Sequence, residues 1–212
     1  MPTVIRLLGW AYVALCTAFI GEAVMRRNAI TFGPEGTPAA APLGAPGSDA
    51  LEWFRRVKPY CNAVEITVMQ RQSPPPATTD GAGYHAACFA LAGRIDDARK
   101  VIDALDAGSR VGAVGIVFDV GHPVADAGDD RSAGPIMELV IDYWPNHYMA
   151  LYHAGMAEYM LGQRALAKKN LEQFLQLYHE NDGFRSNGLE VVRRLNDSTA
   201  TGDVRRPREP GR

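Results

Sequence analysis

The most regular hydrophobic pattern in the chain lies in residues 148–178, YMALYHAGMAEYMLGQRALAKKNLEQFLQLY. Apolar residues recur there at three- and four-residue spacing on both sides of residues 161–163, which predicts two amphipathic helices joined by a tight turn. The first of these helices also contains small residues that would let antiparallel helices approach closely, namely Ala154, Gly155 and Ala157. A single helix pair cannot bury its own apolar face, so the pattern predicts further copies.

The copies are marked by a glycine followed five residues later by an alanine. Three such pairs occur, Gly93 with Ala98, Gly128 with Ala133 and Gly162 with Ala167. The glycines are 35 and 34 residues apart, which is the period of a helix-turn-helix repeat. The first copy shows the turn most plainly, in ALAGRIDDARKVIDALD, and Pro145 ends the second.

This repeating pattern resembles the tetratricopeptide repeat (TPR) family over residues 79–181. The resemblance implies an all-α solenoid of stacked helical hairpins, with repeats at about 79–113, 114–147 and 148–181. In that family the first helix of each repeat lines a concave groove. Carried onto this chain by register, the groove residues would be Phe118, His122 and Asp126 from the second repeat, and Met149, Tyr152, Met156, Tyr159 and Met160 from the third.

The same Met and Tyr residues recur on one helix face, so their spacing is equally consistent with a packed core. As a groove lining they would be adaptable and largely apolar, with a few hydrogen-bonding tips. Such a lining suits an amphipathic helix or an apolar peptide of a partner. It lacks the Lys, Arg and Asn residues of a clamp for peptide carboxylates.

Amphipathic segments flank the three copies. Residues 50–78 predict two helices, broken by Lys58-Pro59 and ended by Ser73-Pro74-Pro75-Pro76, and we interpret them as a divergent leading repeat. Residues 184–195 predict a capping helix that covers the end of the stack. The polar residues 197–212 predict a disordered tail.

The second copy contains a Pro and an unusual group of polar residues. Pro123 lies where the period predicts a helix, so we expect that helix to kink or restart at His122-Pro123. The group comprises Asp119, His122, Asp126, Asp129 and Asp130. One interpretation is a divalent metal or acid/base site. The other, which we favour, is that the aspartates cap helix ends and His122 faces the groove, so that we expect no bound metal or cofactor.

The amino-terminal residues 7–20 are apolar throughout. They fit a cleaved signal peptide, an uncleaved membrane anchor extending to about residue 25, or a buried helix. Arg26 and Arg27 follow the segment, which favours an uncleaved single-pass anchor formed by residues 1–27. The Ala-, Pro- and Gly-rich residues 28–49 predict a linker. By the general habit of bacterial anchors, we expect the repeat domain on the extracytoplasmic side.

Cys61 and Cys88 are the cysteines outside the apolar segment. In an exported domain they could pair, and the alternative that we favour is two buried free thiols. The 212 residues carry a net charge of −2, which argues against a nucleic-acid binder. We found neither a phosphate-binding glycine motif nor a nucleophile with a partnered His and acid.

The sequence therefore predicts a membrane-anchored protein-interaction adaptor or assembly subunit, not an enzyme. The alternatives are a metal-binding module or metal-dependent enzyme that uses residues 119–130, and a purely structural subunit.

Overall fold

The computed structural model describes residues 48–197, and this part of the chain is helical without strands. Its nine α-helices are α1 Ser48–Val57, α2 Ile66–Gln72, α3 Thr79–Leu91, α4 Ile95–Asp103, α5 Ala107–Asp126, α6 Asp130–Tyr143, α7 Tyr148–Met160, α8 Arg164–Leu177 and α9 Gly183–Asn196. A short 3-10 helix, Lys58–Tyr60, follows α1. The predicted all-α class is confirmed for these residues.

Three helix pairs, α3/α4, α5/α6 and α7/α8, are joined by turns of the same conformation. Gly93, Gly128 and Gly162 occupy these turns with φ of 72°, 76° and 78°. This left-handed conformation is unstrained for glycine. In the first turn Gly93 N donates to Ala90 O and Arg94 N donates to Phe89 O, at 3.0 and 2.9 Å, and the same two bonds recur in the other turns. The glycines thus end each first helix with a Schellman motif.

The alanine five residues after each glycine is buried on the second helix. Ala98, Ala133 and Ala167 are 0%, 1% and 0% exposed. Packing continues from pair to pair: α3 lies against α5, α6 against α7, and α9 against α8, while α1 lies against α3. The small side chains therefore lie at the contacts between helices, where the spacing predicted them.

Helix α5 differs from its prediction. It runs without a restart from Ala107 to Asp126 and includes Pro123. Pro123 lies in the last turn, where the missing N–H removes one intrahelical bond and leaves the rest of the helix intact. The expected boundary between repeats at residues 113 and 114 lies inside this helix. The second helix predicted in residues 50–78 corresponds to α2. It begins at Ile66, after a turn in which Asn62 Oδ1 accepts from Glu65 N at 3.0 Å.

A covalent bond joins the segment after α1 to α3. Cys61 and Cys88 form a disulfide with an S–S distance of 2.00 Å, so the favoured prediction of two free thiols is wrong. Both cysteines are buried. The bond joins the residue after the 3-10 helix to the last turn of α3.

No helix of residues 48–197 is both long enough and apolar enough to cross a membrane. The anchor expected in residues 1–27, nearly all of the linker at 28–49 and nearly all of the tail at 197–212 lie outside the described residues.

Substituting Gly155 by Ala is expected to destabilise the protein by about 1–2 kcal/mol. A Cβ at Gly155 would lie 2.6 Å from Leu171 Cγ and 3.2 Å from Leu171 N, so α7 and α8 would have to move apart. The cost exceeds the helix-propensity gain of about 1 kcal/mol. Urea denaturation measures the difference.

Gly134→Ala is the matched control, because its Cβ would meet Ala157 Cβ at an ordinary 3.4 Å. This control should be neutral or stabilising by up to about 1 kcal/mol. Equal effects of the two substitutions would contradict the role assigned to Gly155.

Candidate functional site

Three of the eight residues that the sequence assigned to a groove are buried. Tyr152, Met156 and Tyr159 are 3%, 2% and 3% exposed. They pack with Leu171 and Phe174 in the core formed by α7, α8 and α9. Their regular spacing reflects burial against α8 and α9, so these side chains are not accessible to a partner.

The other five residues are at least partly exposed and fall into two neighbouring places. Phe118 and Met149 line a cleft, and His122 and Asp126 lie about one and two helical turns farther along α5. Met160 is half-buried at the end of α7, where it packs against the core of α7–α9.

The cleft has a volume of about 520 Å³ and lies between α5 and the beginning of α7. Its lining consists of Gly115, Phe118, Asp119, Trp144, Asn146, His147, Tyr148 and Met149. Trp144 and Tyr148 are 39% and 44% exposed, so two large aromatic side chains of the lining reach solvent. The lining is therefore mostly apolar, with polar groups at a few points, as ligand-binding clefts commonly are.

The connection between α6 and α7 fixes the shape of this cleft. Trp144 ends α6 before Pro145, and His147 caps α7 by accepting from Ala150 N at its Nδ1, 3.2 Å away. The His147 ring also contacts Phe118 and Trp144, with ring centroids 4.1 and 4.7 Å apart. Burial lowers the pKa of His147. A neutral imidazole is required for the cap, because a protonated Nδ1 cannot accept.

Beside the cleft, His122 and Asp126 meet a histidine from another helix. Asp126 Oδ1 lies 3.5 Å from His122 Nε2 and 3.9 Å from His153 Nε2. His122 and Asp126 are one turn apart on α5, whereas His153 comes from α7. The Phe118 ring stacks on His122 with centroids 5.0 Å apart, so the cleft and this histidine–aspartate cluster adjoin.

The remaining aspartates of the predicted cluster do not join this group. Asp129 caps α6 by accepting from Ser132 N at 3.2 Å, and Asp119 lies in the cleft lining. Asp130 is the first residue of α6. The sequence interpretation missed His153. No local signal pairs it with His122 and Asp126, because their approach arises from the packing of α7 against α5.

A second polar cluster lies inside the packed helices and was not predicted. Asn170 Nδ2 on α8 donates to Glu138 on α6 at 2.5 Å and to Glu158 on α7 at 3.0 Å. Burial, followed by the hydrogen bond with Glu138, raises the pKa of Glu158 to about 8. None of the three residues lines the cleft. We interpret this cluster as a structural contact among three helices.

Comparison of the chain with protein-family models, curated proteins and solved structures found no significant match.

Proposed function

We propose that this chain is a membrane-anchored adaptor or assembly subunit that binds an apolar peptide or helix of a partner protein. The observation that carries the proposal is the cleft with the exposed Trp144 and Tyr148 at its edge. Large aromatic side chains that remain exposed beside a concave surface are typical of binding sites. In this proposal the protein binds and positions its partner without chemistry of its own.

The proposed binding surface is this cleft, and it differs from the groove predicted from the repeat register in most of its residues. Phe118 and Met149 remain in the proposed binding surface, and Trp144, His147 and Tyr148 are added to it. The aromatic and thioether groups would contact apolar side chains, while Asp119 and Asn146 offer hydrogen bonds at the rim. A short helix with apolar residues on one face fits this combination.

A TPR-like solenoid is the architecture that we propose for the helical part. Its support is the recurrence of one turn at Gly93, Gly128 and Gly162, each followed by a buried alanine. Helices α1 and α2 would form the divergent leading repeat, and α9 the cap. Stacked hairpins of this kind commonly present partner-binding surfaces.

We further propose that residues 7–25 anchor the chain in a membrane, with the helical part on the extracytoplasmic side. The apolar residues 7–20 support the anchor. The disulfide between Cys61 and Cys88 supports the location, because structural disulfides form and persist in oxidising compartments.

Photo-crosslinking tests the cleft directly. A photoreactive phenylalanine analogue placed at Tyr148 of the full chain, in cells that make it, is expected to give a crosslinked adduct with one protein partner. The Trp144→Ala and Tyr148→Ala double variant should reduce co-purification of that partner by about tenfold or more, since aromatic anchors dominate many interfaces. Both side chains are exposed, so the fold should be retained.

The matched control carries the same analogue at Leu189 on α9, which is 50% exposed. This position should give no adduct with the partner. Equal adducts from the two positions, or full co-purification by the double variant, would show that the cleft is not the binding surface.

A further inference from the structure

The histidine–aspartate cluster beside the cleft places three metal-binding groups from two helices together. One ligand atom each of His122, Asp126 and His153 lies within 4.8 Å of the others. The spacing of four residues between His122 and Asp126 places both on one face of α5. His153 approaches that face from α7, so the tertiary structure completes the group.

The distances are compatible with an ion held between the side chains. Ligand atoms at about 2.1 Å from a tetrahedral zinc ion lie about 3.4 Å from each other. The two measured separations from Asp126 Oδ1 are 3.5 and 3.9 Å. Small rotations of the partly exposed His122 side chain and the exposed Asp126 side chain would bring the three atoms to coordination distance.

The surrounding side chains hold His153 in place, whereas the His122 and Asp126 side chains can adjust their positions. His153 is 3% exposed and its ring contacts that of Tyr152 with centroids 5.2 Å apart. His122 and Asp126 have side chains that are 34% and 46% exposed. The cluster therefore opens to solvent on the side of α5. Three protein ligands and an open side are the arrangement of sites that keep a coordination position for water or another ligand.

The donor atoms select the class of metal. Two imidazole nitrogens with one carboxylate oxygen suit zinc and neighbouring divalent transition metals, whereas magnesium and calcium favour oxygen ligands alone. We propose that His122, Asp126 and His153 form a binding site for one divalent transition-metal ion of the zinc class. The site is distinct from the partner-binding cleft and does not depend on its occupant.

The test uses the purified full-length chain after removal of metals with a chelator. Zinc is titrated in competition with a chromophoric chelator, and cobalt(II) is titrated while its visible absorption is recorded. We expect one equivalent of each ion to bind, with a cobalt spectrum of four- or five-coordinate type. Asp126→Asn and His122→Ala should each weaken zinc binding by about 100-fold.

Two variants serve as matched controls. Asp119→Asn removes another exposed carboxylate from α5, and His179→Ala removes another exposed imidazole. Both should bind zinc like the unmodified chain, and circular dichroism should show the same helicity for all variants. Absence of stoichiometric zinc and cobalt binding, or unchanged affinity in Asp126→Asn, would overturn the proposal.

Discussion

Replacing Glu158 by Gln is expected to raise the free energy of unfolding at pH 8 by about 4 kcal/mol. Glu158 is 2% exposed. Burial is the main reason that its pKa is raised from 4.5 to about 8, and the hydrogen bond and charge of Glu138 add to it. Glutamine has nearly the same shape and is neutral at every pH. Its amide can accept from Asn170 and donate to Glu138.

The sign of the pH dependence follows from proton uptake. Between pH 4.5 and about 8, folding makes Glu158 take up a proton that the unfolded chain does not hold. The contribution of Glu158 to stability is therefore complete below pH 4.5 and is lost as the pH rises to about 8. The Gln variant does not lose stability in this way. The difference in free energy of unfolding between the variant and the unmodified protein should therefore increase from pH 4.5 to about 8.

Urea denaturation of both proteins at several pH values measures this difference. The pKa values of His85 and His147 are lowered by burial. The contribution of these two histidines to stability therefore falls as the pH is lowered. Both proteins share this effect, which cancels in the comparison. Glu172→Gln is the control, since the Glu172 side chain is partly exposed beside Lys168. This substitution should change stability by less than about 0.5 kcal/mol. A Glu158→Gln protein that is less stable at pH 8 would contradict the assigned protonation.

Removing the disulfide is expected to lower the free energy of unfolding by about 3.5 kcal/mol. Cys61 and Cys88 are 27 residues apart in sequence. The bond restricts the unfolded chain by closing that loop, and the entropic cost of closure gives this magnitude. The bond also attaches the segment after α1 to α3, and α1 otherwise packs mainly on that one helix. We therefore expect α1 and α2 to lose protection first.

Thermal unfolding of the Cys61→Ala, Cys88→Ala double variant measures the loss, and hydrogen exchange locates it. Alanine fits these buried positions without adding a polar group. Reductant should lower the melting temperature of the unmodified chain and leave that of the double variant unchanged. An equal effect of reductant on both proteins, or equal stability of the two, would show that the disulfide does not stabilise the fold.

Local patterns predicted the helical part well because they depend on few residues. A glycine at each turn permits the left-handed backbone that ends a helix. Gly93, Gly128 and Gly162 are therefore recognisable without the structure. The buried alanines five residues later follow from the same repeat. Pro123 was misjudged because the cost of a proline depends on its distance from the helix end, which the pattern did not define.

Burial could not be assigned from spacing alone. Tyr152, Met156 and Tyr159 lie on one face of α7 under either interpretation, as groove or as core. The packing of α8 and α9 on that face decided between them. The exposed Trp144 lies in the connection before α7, where no helical period applies, and the exposed Tyr148 is the first residue of α7.

The helices, their turns and the small residues at their contacts could be predicted from the order of the residues, because these features follow from backbone conformation and periodicity along the chain. Which side chains meet across helices became clear only from the folded arrangement. His153 reaches Asp126, Asn170 joins Glu138 and Glu158, and Cys61 bonds Cys88. Such contacts depend on the distance between the helices and on the rotation of each helix about its axis. Both are set by packing of the whole core.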